Sequence, residues 1–97
     1  MLYRIFIENV NEARICSIVG LYFASFTTIR ADGFWRSNAE RTLIIEIESD
    51  GSSKSLINTL AQRLREAMKQ ECVMVQAIQC ESTMLCAPFN ELNSKGE

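Results

Sequence analysis

The pattern of apolar residues predicts an α+β chain of the ferredoxin-like βαββαβ type, an antiparallel four-stranded sheet with two helices on one face. Three observations predict it. Four stretches are rich in β-branched and aromatic residues: LYRIFIE, SFTTIR, TLIIEIES and CVMVQAIQC. Two further stretches repeat apolar residues at helical spacing. Their order along the chain is strand, helix, strand, strand, helix, strand.

Leu2 to Glu8 is the first strand. Asn9 or Asn11 can cap the helix that follows, and Glu12 lies three residues after Asn9, as in a capping box. Ile15, Ile18, Val19, Tyr22 and Phe23 then mark one apolar face. Ser25 to Arg30 reads as the second strand. Ala31-Asp32-Gly33 reads as a turn, because Asp-Gly supplies the positive φ that a tight turn needs. A long polar connection bearing Phe34, Trp35, Arg36 and Glu40 then leads to the third strand, Thr42 to Ser49. Ser52 or Ser53 caps the second helix. Leu56, Ile57, Leu60, Ala61, Leu64, Ala67 and Met68 form its buried side. Cys72 to Cys80 is the fourth strand. Residues 1–80 make one ferredoxin-like domain, and 81–97 a C-terminal extension or tail with little periodicity.

The 97 residues suffice for one small core, and 47% hydrophobic with 23% charged residues is the balance of a soluble globular protein. The net charge is −2, and the arginines are interspersed with acidic residues, so no nucleic-acid partner is expected. No apolar run reaches the ~20 residues that span a bilayer, and Glu8 and Asn9 interrupt the N-terminal stretch where a signal peptide would continue. A cytoplasmic protein without a membrane partner follows as the expectation. The chain has no histidine, and its four cysteines form no CxxC pair, so neither a metal site nor His-dependent catalysis is expected. Cys16 and Cys72 read as small buried apolar residues, and Met68, Met74 and Met84 as core fillers. Glu46 and Glu48 read as one solvated strand face.

Two helices on one face leave the other face of the sheet to be covered. Ile44, Ile45 and Ile47 are too many apolar residues for a fully wet face, which points to oligomerisation. The connection from Arg30 to Thr42 is the candidate site. Phe34 and Trp35 beside Glu40 suit a ligand with a flat ring and a positive charge. The same aromatics could instead cap the core or make an oligomer contact.

Ser25-Phe26-Thr27, Gly33-Phe34-Trp35, Glu40, the strand Leu43-Ile44-Ile45-Glu46-Ile47 and Gln70-Glu71-Cys72-Val73-Met74-Val75 together resemble the small phage-encoded S-adenosylmethionine lyases, formerly called hydrolases. The resemblance spans roughly residues 2 to 80. It implies a PII-like homotrimer that holds S-adenosylmethionine between neighbouring subunits. It implies a reaction that needs no cofactor: the substrate's own carboxylate displaces methylthioadenosine from the sulfonium and leaves homoserine lactone. It assigns Glu40 to the substrate's amino-acid end as the catalytic carboxylate. It assigns Phe26, Thr27, Ile29, Trp35, Gln70 and Glu71 to the pocket. Relatives often carry a tyrosine at the position of Ile29. The biological role it implies is evasion of host restriction by depleting the methyl donor. Two other functions fit the residues: a non-catalytic PII-like module binding an adenine-containing ligand, and a phage inhibitor of a host protein.

Overall fold

Alternating apolar residues fold into strands because each second side chain reaches the same side of the sheet. The computed structural model, described here for residues 1–88, has β1 (Leu2–Glu8), α1 (Glu12–Gly20), β2 (Thr27–Trp35), β3 (Asn38–Glu48), a short 3-10 turn (Gly51–Ser53), α2 (Lys54–Ala67) and β4 (Met74–Ile78). The strands lie in the order β2-β3-β1-β4, and each neighbouring pair is antiparallel. This is the ferredoxin-like βαββαβ arrangement.

The core lies between the sheet and the helices. Tyr3, Ile5 and Ile7 of β1 and Leu43, Ile45 and Ile47 of β3 are buried against Ile15, Ile18 and Val19 of α1 and Ile57, Leu60 and Leu64 of α2. Burying each such side chain stabilises the fold by about 1.5–3 kcal/mol. Asn11 caps α1 by accepting a hydrogen bond from the Arg14 amide. Asn9 donates to Glu12, so both asparagines serve that helix end. At α2, Ser53 is the N-cap residue but makes no side-chain capping bond, whereas Asp50 accepts from the Ser52 amide one turn earlier.

Several elements differ from the expectation. The second strand does not turn at Ala31-Asp32-Gly33. It continues to Trp35, and the reversal falls on Arg36 and Ser37, with φ of 50° and 66°. Trp35 pairs with Asn38, so the long connection is in fact a two-residue hairpin turn of the I′ kind. Gly33 has no positive φ. Its lack of a side chain serves close approach, since a Cβ there would collide with Thr42 Oγ1. Leu56 is 42% exposed, because it sits one residue off the buried stripe of α2. Met74 and Met84 are exposed, and of the three methionines only Met68 joins the core. Cys72 is exposed and Cys16 half-buried, with its thiol pushed up first by burial and then by the Glu12 charge.

Only Ile45 and Ile47 of the three isoleucines face the helices. Ile44 points to the helix-free face, where the register aligns it with Phe6 of β1 and Ile29 of β2. Glu46 on that face is paired rather than freely solvated, accepting from Arg4 Nε at 2.6 Å across the strands. Residues 81–88 contain no helix or strand, and the rest of the expected tail, 89–97, lies outside the described residues.

Candidate functional site

β3 pairs with β1 only from Thr42 onward, whereas its pairing with β2 runs back to Asn38. The β2–β3 hairpin therefore extends beyond the end of β1. On the far side of β1, the α2–β4 connection comes up to the same end of the sheet. Its course follows from the helix terminus. Lys69 takes φ 54°, the Lys69 amide donates to the Glu66 carbonyl, and the Gln70 amide donates to the Arg65 carbonyl. These are the two hydrogen bonds of a Schellman motif, which ends α2 and turns the chain sharply. Gln70 and Glu71 are thereby delivered opposite the hairpin.

Between hairpin and connection lies a cleft of about 610 Å³. Phe6, Ile44 and Met74 contribute apolar surface from the helix-free face, and Trp35, Glu40, Thr42, Gln70, Glu71 and Glu8 contribute polar or amphipathic groups. Glu71 joins the two walls. Its Oε2 accepts from Trp35 Nε1 at 3.3 Å and its Oε1 accepts from Arg36 Nη2 at 2.6 Å. The Arg36 guanidinium also stands over the Trp35 ring, 5.6 Å from its centroid. Gln70 is held by its side-chain amide donating to the Met68 carbonyl at 3.1 Å.

Five of the residues singled out from the sequence thus meet here: Phe34, Trp35, Glu40, Gln70 and Glu71. Three do not. Phe26 precedes β2 and packs half-buried against the core. Thr27 is exposed opposite Glu46, and Ile29 lies beside Ile44 on the helix-free face without lining the cleft. Sequence reasoning missed Phe6, Glu8, Thr42, Ile44 and the contribution of Met74. The signal for the strand residues was present, because they alternate with core positions, but only the pairing register shows that they border the cleft. Phe34 is 77% exposed, so it does not cap the core.

Glu8, Asp32, Glu40 and Glu71 bring negative charge to the cleft, Lys69 brings a positive one, and Trp35 supplies an aromatic face. Among the described residues, no group of three His, Cys, Asp or Glu side chains is placed to hold a metal ion. No helix among them is long and apolar enough to cross a membrane.

No family model matches the chain, and no curated protein matches it. Among solved structures it is similar to the crystal structure of a DUF3240 family protein from Shewanella baltica OS155. The TM-score is 0.62 at 16% identity, over 87% of this chain and 94% of that one. At that identity the likeness shows the fold alone.

Proposed function

We propose that the cleft binds S-adenosylmethionine and that the chain is a lyase releasing methylthioadenosine and homoserine lactone. The observation that supports this is convergence: Trp35, Glu40, Gln70 and Glu71, from two separate stretches of chain, border one cleft with apolar surface beside them. In the proposed reaction a carboxylate oxygen of the substrate attacks the γ-carbon bonded to sulfur. The C–S bond breaks, its electron pair stays on sulfur, and a neutral thioether leaves as the lactone ring closes. An ionised carboxylate attacks without a general base. The protein's task is to fold the substrate into attack geometry and keep water away. Trp35 offers its ring to the adenine, and Glu40 orients the substrate's ammonium group.

The proposal includes a PII-like homotrimer, in which a neighbouring copy brings Phe26, Thr27 and Ile29 to the open side of the cleft. The exposed apolar side chains Ile29 and Met74 on the helix-free face support such a contact. Mixing the protein with S-adenosylmethionine and reading products by mass spectrometry tests the reaction. Methylthioadenosine and homoserine lactone are expected in equal amounts, and Glu40→Gln is expected to slow their release by about two orders of magnitude through lost positioning. No product from the wild-type protein refutes the lyase.

A second reading is a PII-like module that binds an adenine-containing ligand without turnover. Ile29, where the resembled lyases often carry a tyrosine, favours it. Calorimetric binding with the ligand recovered unchanged would select this reading.

A further inference from the structure

The charge around the cleft is lopsided. Glu8, Asp32, Glu40 and Glu71 border it with carboxylates, and among the described residues Lys69 is the one basic residue that does. Such a surface attracts an ammonium or sulfonium group without further help. It repels a carboxylate, so a ligand that carries one needs a cation within reach. We propose that Lys69 holds the carboxylate of the ligand's amino-acid end, and so selects an amino-acid zwitterion over the corresponding amine. The inference rests on reading the cleft as the S-adenosylmethionine site, and it adds a residue to that site.

The bend that ends α2 puts Lys69 at the cleft. It follows the C-cap residue Met68 and holds φ at 54°. Glycine is the usual residue there, because a Cβ is crowded in the left-handed region. Lysine brings a steric penalty that glycine would avoid, and such penalties concentrate where a side chain has work to do. Gln70, Glu71 and Cys72 continue the same wall of the cleft, and Glu40 of β3 borders it from the hairpin. Lys69 is exposed and makes no ion pair among the described residues, so its ammonium is open to a ligand. With the substrate's ammonium on Glu40 and one carboxylate oxygen on Lys69, the amino-acid end is gripped at two points. The other carboxylate oxygen stays available for attack on the γ-carbon. A lysine at a helix C-terminus also complements the helix dipole, but that role would show in stability and not in the choice of ligand.

The variant is Lys69→Gly, which keeps the bend because glycine favours positive φ. The probes are S-adenosylhomocysteine and its decarboxylated counterpart. Both keep adenine and ammonium, and neither has a sulfonium that could react. Calorimetry is expected to show that the wild type prefers S-adenosylhomocysteine. In the variant that ligand is expected to bind about three- to tenfold more weakly, while the amine binds as well as before or more tightly. Weaker binding of both ligands overturns the inference, since the site as a whole would then be damaged. So does undiminished binding of S-adenosylhomocysteine to the variant, and so does a wild type that binds neither ligand. Lys69→Asn also tolerates positive φ and is expected to match Lys69→Gly. A loss confined to the glycine variant would come from the backbone and overturns the inference. Release of methylthioadenosine from S-adenosylmethionine is measured in parallel. Release by a wild type that binds both probes equally keeps the lyase and overturns the inference. A preference that depends on Lys69, without any release, keeps the inference and removes the lyase.

Discussion

Gly33 and Thr42 show how closely the two strands of the hairpin approach. They lie diagonally on neighbouring strands, and a Cβ on residue 33 would collide with the Thr42 hydroxyl. Gly33→Ala is expected to destabilise the protein by about 1–3 kcal/mol, as overpacking does. Adding Thr42→Ala removes the colliding atom and should restore part of the loss. Urea melts of the single and double variants check this, and a double variant no more stable than the single one contradicts it.

At the same scale, Glu12 is governed by Arg30. Two hydrogen bonds, 2.8 and 2.6 Å long, hold its carboxyl below the ordinary value, with burial opposing and the guanidinium charge assisting. A carboxyl lowered in the folded state stabilises the protein above its unfolded pKa of about 4.3, and that contribution is lost as pH falls through the lower folded value. Arg30→Gln is therefore expected to depress the thermal midpoint slightly near neutral pH and to match wild type at about pH 2. Thermal melts across that range test it. A difference that persists in acid would mean that Arg30 acts by packing instead of charge.

Among the elements, α2 was legible almost completely. Its apolar residues repeat at helical spacing, and Ile57, Leu60, Ala61 and Leu64 are buried as that spacing requires. Leu56 shows the limit, because at about 100° per residue it falls at the edge of the stripe that Ile57, Leu60, Ala61 and Leu64 define, and it is left 42% exposed. Leu60→Ala is expected to cost about 2–5 kcal/mol, while Leu56→Gln should change stability by less than about 0.5 kcal/mol. Denaturant midpoints of both variants measure this. A large loss from Leu56→Gln would show that another surface covers that residue.

The β2–β3 hairpin was the least legible element. Asp32-Gly33 has the chemistry of a turn, yet backbone pairing through Trp35 and Asn38 carries the reversal to Arg36-Ser37, a pair unlike the Asn-Gly or Asp-Gly that such two-residue turns favour. Ladder hydrogen bonds and cross-strand contacts outweigh local preference here, and neither can be read from a short window. The cleft was half legible for the same reason. Trp35, Glu40, Gln70 and Glu71 stand out by residue type, whereas Phe6, Thr42 and Ile44 look like ordinary strand residues until the register is known.

At the scale of the whole molecule, the helix-free face carries the remaining question of assembly. Phe6, Ile29, Ile44 and Met74 share that face across all four strands. For the proposed homotrimer, sedimentation is expected to give about three times the 11.0 kDa of one chain. Ile29→Glu, at an exposed position on an edge strand, should dissociate it without unfolding the chain. A wild-type protein that sediments as a single chain refutes the trimer.

The order of strands and helices was readable along the chain because hydrophobic periodicity is local, and each element needs one apolar side whatever it packs against. The cleft depends on the pairing of β3 beyond the end of β1, and on a helix terminus that turns Gln70 and Glu71 toward a hairpin over thirty residues away. Such meetings are set by strand register and chain reversal, which couple distant residues, so only the tertiary structure could decide them.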